Sequence, residues 1–325
     1  MSNYIVTGCA GFIGSYVTKL LLEQGHRVVG IDNLNSAYDI RLKEWRLKQL
    51  DVKESFRFVR SDIRVRSAIK DVFDIAGNGC DGVIHLAAYA GVRYSVENPW
   101  IYYETNVTGT LNLLDACVKS GVKKMVFGSS SSVYGNNVSG AFSESTNTDR
   151  VLSPYAASKK AAEELCFSYK HLHGIDFTIL RFFTVYGPAG RPDMSPLRFV
   201  RWIYEGVPLT LYGNGTQRRD FTYVDDVARG VCASLKPLGY EIINLGNNKP
   251  IEIIEFIKTI EGLIGKKAVV HKKEAHSADV SATWADISKA RDVLKWLPKY
   301  DIRKGLGLLV DWYEENRSLA KTIEL

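Results

Sequence analysis

Short apolar runs alternate with amphipathic stretches through the first half of the chain. Runs of strand length are Tyr4-Val6, Val28-Ile31, Phe56-Val59, Gly82-Leu86, Lys124-Phe127 and Phe177-Leu180. Between them, helically spaced apolar positions mark Ser15-Gln24, Arg66-Phe73, Asn106-Lys119 and Tyr155-Leu172. Strand followed by helix, repeated, predicts a parallel sheet with helices on both faces, because parallel strands need crossover connections. From Gly187 the texture changes: Pro188, Pro192, Pro196 and Pro208, with Gly213 and Gly215, cut the chain into short pieces. The expected architecture is therefore α/β. A Rossmann-type doubly wound parallel sheet spans 1–185. A smaller, loop-rich C-terminal substrate-binding lobe spans 186–325, over the carboxyl ends of the strands, where open sheets bind ligands. The run Ile242-Leu245 is expected to return to the sheet.

Composition narrows the class. The 325 residues are 46% hydrophobic, enough for one large α/β domain and a lesser lobe. The net charge of +6 is spread out, and the basic pairs Lys266-Lys267 and Lys272-Lys273 have no aromatic ladder beside them. That pattern argues against nucleic acid as a partner and leaves anionic substrates open. Five widely spaced cysteines, Cys9, Cys80, Cys117, Cys166 and Cys232, suggest neither a disulfide frame nor a zinc site. Buried thiols in a reducing compartment fit better. No stretch reads as a signal peptide or reaches membrane-spanning length, so a cytoplasmic protein without a membrane partner is expected.

Candidate chemistry begins at the first turn. Gly8, Gly11 and Gly14 follow the first strand and open a helix, and Asp32 ends the second strand. Such a turn lets a pyrophosphate approach the backbone at a helix N-terminus, and an acid one strand later takes the ribose hydroxyls. A carboxylate there repels a 2′-phosphate, which favours NAD over NADP. Asp62, after the third strand, reads either as an adenine-side residue or as a helix cap. His85-Leu86-Ala87-Ala88 closes the fourth strand with small residues beside which a flat ligand can lie; His85 itself reads as structural.

Tyr155 and Lys159 lie four apart on one predicted helix face, after Ser153-Pro154 at its start. Ser129-Ser130-Ser131-Ser132 ends the fifth strand, where a hydroxyl can bind a reacting oxygen. A phenol near pKa ~10 is a weak base at neutral pH. A lysine and a cationic nicotinamide beside it favour phenolate, and about three units of lowering corresponds to roughly 4 kcal/mol. Tyr155 can then take an alcohol proton as hydride leaves the same carbon. Tyr300-Lys304 repeats the spacing without serines and carries no such reading. His171 and His173 read as surface residues, Asp225-Asp226 as a helix cap, and Phe182, Phe183, Tyr186 and Tyr223 as core or as flanks of a ligand.

Taken together, Gly8, Gly11, Gly14, Asp32, Ser130, Tyr155 and Lys159 resemble the extended short-chain dehydrogenase/reductase superfamily, nucleotide-sugar branch. The resemblance runs through Asn106, Arg181-Phe182-Phe183, Gly215 to Phe221, Val224-Asp225-Asp226 and Trp284-Ala285-Asp286. It is closest to the UDP-glucuronate 4-epimerases, through Ala90 to Ser95, Ser129 to Tyr134, Phe182 to Pro188 and Gly190 to Met194. It implies tightly held NAD, a UDP-sugar substrate and a homodimer formed through Tyr102-Val118 and Tyr155-Leu172. The implied cofactor contacts are Gly8, Gly11, Phe12, Ile13, Gly14, Asp32, Asn33, Asp62, Ile63, Leu86, Ala87, Ala88, Asn106, Ser129, Tyr155, Lys159 and Phe182. The implied catalytic group is Tyr155, Lys159, Ser130 and Ser132. Substrate contacts are Arg93, Ser130, Ser131, Thr184, Arg191, Arg219 and Asp279, with Arg219 matching a diphosphate-binding arginine. His276-Ser277-Ala278-Asp279 departs from the galactose enzymes, which carry a basic residue there.

Related branches differ in what happens to the 4-keto sugar. Dehydratases and decarboxylases carry acidic residues where this chain has Ser131-Ser132, so elimination and assisted decarboxylation lack their proton mover. Epimerisation of UDP-glucuronate to UDP-galacturonate remains. The alternatives are a UDP-galactose or UDP-N-acetylhexosamine 4-epimerase, a UDP-glucuronate decarboxylase, a net oxidoreductase or a non-catalytic NAD sensor. Arg191 first, and Arg93 second, are the candidates for holding a sugar carboxylate out of alignment for loss of carbon dioxide.

Overall fold

The computed structural model describes residues 1–50, 54–77, 79–136, 140–274 and 282–324. Its centre is a seven-stranded, wholly parallel sheet. The strands are β1 (Asn3–Thr7), β2 (Arg27–Asp32), β3 (Phe56–Arg60), β4 (Gly82–His85), β5 (Lys124–Ser130), β6 (Asp176–Phe182) and β7 (Tyr240–Leu245). Their spatial order is β7-β6-β5-β4-β1-β2-β3, so the order reverses between β1 and β4, and that crevice lies at the strands' carboxyl ends. All seven expected strands occur, including the late return: Ile242 pairs with Ile179 and Leu245 with Phe182. Every residue of β4 and β5 is buried, which is why these runs are apolar without alternation.

Helices cover both faces. On one, α1 (Phe12–Glu23) packs against the helix Val224–Ala233. On the other lie α3 (Arg66–Ala76) and the helices Gly109–Lys119 and Pro154–His173. A polar helix, α2 (Ile40–Lys48), follows β2 and buries Lys43 and Arg46 along with Leu42 and Leu47.

The C-terminal part differs from expectation. It holds three amphipathic helices, Ser195–Glu205, Ile253–Ile264 and Ile302–Glu315, around one apolar cluster, and is not loop-rich. Pro196 stands in the first turn of its helix, a place where the missing N–H costs nothing. Residues Ala285, Ile287, Ala290, Leu294 and Trp296 pack into the core beneath the sheet. Asp226 is not a helix cap. It is fully buried and accepts from the backbone N–H of Lys299 and Tyr300, anchoring the approach to the last long helix. No helix among the described residues is long and apolar enough to cross a membrane, and all five cysteines are free.

Candidate active site

The cofactor side is built mainly from backbone. Gly8 adopts φ +73°, and a Cβ there would lie 2.7 Å from the amide nitrogen of Ala87. A Cβ on Gly14 would lie 2.0 Å from the carbonyl oxygen of Gly8. Only glycine therefore lets this turn fold onto itself and against the end of β4. Gly11 ends the turn without a side-chain cap for α1, so the positive helix end faces the crevice between β1 and β4. Thr7 Oγ1 accepts from the N–H groups of Leu86 and Ala87 at 3.2 and 3.1 Å, holding the rim opposite. Asp32 is nearly buried; its Oδ1 accepts from the Leu34 N–H at 2.9 Å and lies 3.9 Å from Lys43 Nζ. The fit to a dinucleotide is thus local and physical: an uncapped helix end, a side-chain-free turn, and an acid at the next strand end.

Neighbouring residues frame this crevice in other ways. Asn33 donates to Asp62 at 2.9 Å, tying the ends of β2 and β3 together. Asp62 is not the cap of α3, whose N-cap is Val65. It accepts from the Arg64 N–H and pairs with the Arg64 side chain, which holds its carboxyl down at about 2. Leu86 and Phe182 approach each other over Gly128, where a Cβ would be 2.9 Å from each. Phe12 packs into the C-terminal cluster, Ile13 lies half-buried at the start of α1, and Ile63 fills the core against Gly109. Asn106 is buried, and its amide is committed: it accepts from the Tyr89 N–H and donates to Tyr89 O and Ser158 Oγ. It thereby pins the Leu86–Gly91 segment, which includes Ala88, to the Pro154–His173 helix.

The catalytic candidates meet at the end of β5. Ser153 caps the Pro154–His173 helix through a 3.2 Å bond from the Ala156 N–H, with Pro154 first in the helix. Tyr155 is half-buried and hydrogen-bonded to Ser130, with the Arg191 charge near enough to favour its phenolate. Burial outweighs both, and the phenol's pKa is raised above 10. In the protein alone, desolvation outweighs the charges around the phenol. Lys159 lies lower, its ammonium 4.4 Å from the Phe127 ring centre, and burial brings it down to about 8 against the opposing pull of Glu163. Ser132 Oγ accepts from Ser130 Oγ at 3.1 Å, and the Ser132 N–H donates back to Ser130 Oγ at 3.1 Å. Ser131 opens the short 3-10 turn that follows.

His85 is structural, as expected. Its two nitrogens bond to Thr7 and Thr110 hydroxyls at 2.7 and 3.0 Å, and burial then the Lys159 charge push it down to about 3. Ser129 turns away from the crevice and donates to Glu163 Oε1 at 2.5 Å. Glu163 also receives Arg181 through Nε and Nη2 at 3.0 and 2.7 Å, both side chains being almost wholly buried. Sequence reading missed this triad, although an arginine within an apolar strand is a visible signal of a buried partner. Phe183, Tyr186 and Tyr223 are core, and His171 and His173 are exposed.

Arg191 is the arginine whose charge reaches Tyr155. Arg191 pairs with Asp193 in a fork, Nε to Oδ1 at 3.0 Å and Nη2 to Oδ2 at 2.6 Å, and donates to Ala90 O at 3.1 Å. Arg93 stacks 4.4 Å over the Tyr212 ring. Thr184 stands at the start of the strand Thr184–Tyr186, its N–H bonded to Asp220 O. Arg219 is half-buried and donates to Arg218 O. The adjoining Asp220, also missed, is fully buried and gathers three N–H groups, from Asn247, Asn248 and Ala285, so it fixes the loops beside Arg219. Asp279 lies outside the described residues.

Comparison with known proteins agrees with this geometry. Residues 4–246 match the model of the NAD dependent epimerase/dehydratase family. A UDP-glucuronate 4-epimerase of Thermodesulfobacterium geofontis is 54% identical over the full length of both chains. A crystal structure of UDP-glucuronic acid 4-epimerase from Bacillus cereus, in complex with UDP-glucuronic acid and NAD, superposes with a TM-score of 0.91 at 38% identity, covering 96% of this chain and 99% of that one. A UDP-glucose 4-epimerase of Thermotoga maritima gives 0.89 at 30% identity, covering 97% and 99%.

Proposed function

The chain belongs to the NAD dependent epimerase/dehydratase family, and from its cleft we propose that it interconverts UDP-glucuronate and UDP-galacturonate. The observation that carries this reading is one juxtaposition. A tyrosine bonded to a serine faces an arginine, and the Ser131-Ser132 pair beside them carries no carboxylate.

Bound NAD supplies reversible oxidation at C4 of the sugar. Gly8, Gly11 and Gly14, with the start of α1, would hold its pyrophosphate, and Asp32 a ribose; Leu86, Ala87 and Ala88 would line its path. Tyr155 takes the proton of the C4 hydroxyl and returns it once the sugar has turned over. Burial raises the phenol's pKa, and a cationic nicotinamide in the cleft would pull it back toward phenolate. Lys159 adds charge from below, and Ser130 donates to the oxygen that shares the proton. Ser131 and Ser132 offer hydroxyls to the substrate but no acid or base for elimination. Arg191 binds the sugar carboxylate, with Arg93, Thr184 and Arg219 completing the contacts to sugar and diphosphate. Of these, Arg191 and Arg219 belong to the mainly substrate-binding part, residues 186–325, from which β7 returns to the sheet.

Incubation with UDP-glucuronate, with products resolved by NMR and mass spectrometry, tests the reading. The 4-epimer should form with no net change in reduced cofactor. A neutral UDP-sugar turned over in preference to the uronate would replace it.

The same reading includes a homodimer in a reducing, cytoplasmic compartment. Tyr103, Leu111 and Phe167 are exposed apolar residues on the helical faces expected to pair, and the free thiols suit such a compartment. Light scattering on the purified protein reads the mass.

A further inference from the structure

Arg46, in the middle of α2, is 1% exposed. Among the described residues no carboxylate pairs with it. Its guanidinium donates instead to backbone carbonyls and one phenol. Nε and Nη2 reach Ala189 O at 3.0 and 2.7 Å, and Nη2 reaches Gly190 O at 3.3 Å. Nη1 reaches Ala10 O at 3.1 Å and Tyr38 Oη at 2.7 Å. A buried cation is tolerated only where its donors are satisfied, so this arrangement is specific to arginine's fork.

The acceptors come from separate places. Ala10 belongs to the glycine turn. Tyr38 belongs to the loop before α2. Ala189 and Gly190 are the two residues directly before Arg191. Ala189 sits at φ +51°, a backbone that residues with a side chain seldom adopt, and the two bonds to its carbonyl hold that kink. A second route runs through Tyr38, whose ring centre lies 5.4 Å from the Arg46 guanidinium and 5.8 Å from that of Arg191.

We infer that Arg46 is a positioning residue that clasps the Arg191 loop to the cofactor turn and so sets the angle at which Arg191 meets the sugar carboxylate. The inference rests on the UDP-glucuronate reading above. Its consequence is chemical. The 4-keto sugar is a β-keto acid. When its C5–C6 bond lies parallel to the ketone π system, that bond breaks and carbon dioxide leaves. The bonding pair becomes the 4,5-enolate, and C5 then takes a proton from water. A rigid Arg191 keeps the carboxylate out of that alignment, and a loosened one lets it swing in.

The test uses full-length holoenzyme, with rates normalised to bound NAD. Wild type is assayed first with UDP-glucuronate; absence of the 4-epimer there would remove the functional reading itself, whatever Arg46 does. With wild type active, Arg46→Met should raise the ratio of pentose products to epimer roughly tenfold at each NAD-loaded site. Arg46→Lys should restore part of the wild-type ratio. Tyr38→Phe, which keeps the ring and loses one acceptor, should shift the ratio the same way by less. A wild-type ratio in both Arg46→Met and Tyr38→Phe overturns the inference, because a merely structural role lowers the number of active sites without changing what each one makes. If Arg46→Met fails to fold, an unchanged ratio in Tyr38→Phe overturns it alone.

Discussion

The two sides of the cleft are made from different materials. The proposed dinucleotide side is peptide backbone, shaped by glycines and the ends of β1, β2 and β4, with Asp32 as its main charged side chain. The proposed sugar side is long side chains, each held by another: Arg191 by Asp193, Arg93 over Tyr212, and the Arg191 loop by Arg46. Backbone geometry is rigid and tolerates little change. Side-chain clasps can be retuned one at a time, which suits a family whose members share a cofactor but differ in sugar.

That contrast can be broken at its seam. Tyr155→Phe removes the group both sides address, and turnover should fall by about 10³-fold or more while bound NAD and the melting temperature hardly move. Residual activity near wild type would mean that another group moves the proton. Next in size, Gly14→Ala places a methyl 2.0 Å from Gly8 O, so purified protein should retain little NAD and melt earlier. Full occupancy in that variant would show the turn to be more yielding than backbone should be. On the other side, Arg191→Ala should cost roughly 10- to 100-fold in kcat/KM for the uronate and leave bound NAD nearly unchanged. Equal losses of cofactor and of uronate turnover would erase the distinction between the two sides.

The smallest effect concerns acid. His85, beneath the crevice, has its folded pKa depressed to about 3 from an unfolded value near ~6.5. The unfolded chain therefore binds the extra proton first. The stability that neutral His85 contributes is complete above ~6.5 and is lost as pH falls toward about 3. His85→Gln should flatten the pH dependence of the urea midpoint across that window. A slope as steep as wild type would assign acid sensitivity elsewhere.

The dinucleotide side was the more legible in sequence for a physical reason. Backbone demands appear locally, as Gly8, Gly11 and Gly14 between an apolar strand and a helix. Strands buried on both faces announce themselves as apolar runs. Clasps do not: Arg46 and Ala189 are 143 residues apart, and nothing near Arg46 distinguishes it from a surface arginine. For the same reason α2 escaped notice, since two of its four buried residues are charged. In the C-terminal part, punctuation was misread. Pro196, taken as a break, stands in the first turn of a helix, and Gly206 and Gly265, which carried no reading, end helices in the left-handed conformation. Asp226 misled in another way: an acid near a helix start resembles a cap, but it bonds a different segment instead.

The return of β7 and of Ala285–Trp296 to the central core has a mechanical corollary. The polypeptide crosses from core to lobe and back more than once, so the lobe is sewn on by several threads. A lid hung on one connecting segment does not fit this connectivity, and exchanging this lobe for a relative's would require grafting several discontinuous stretches together.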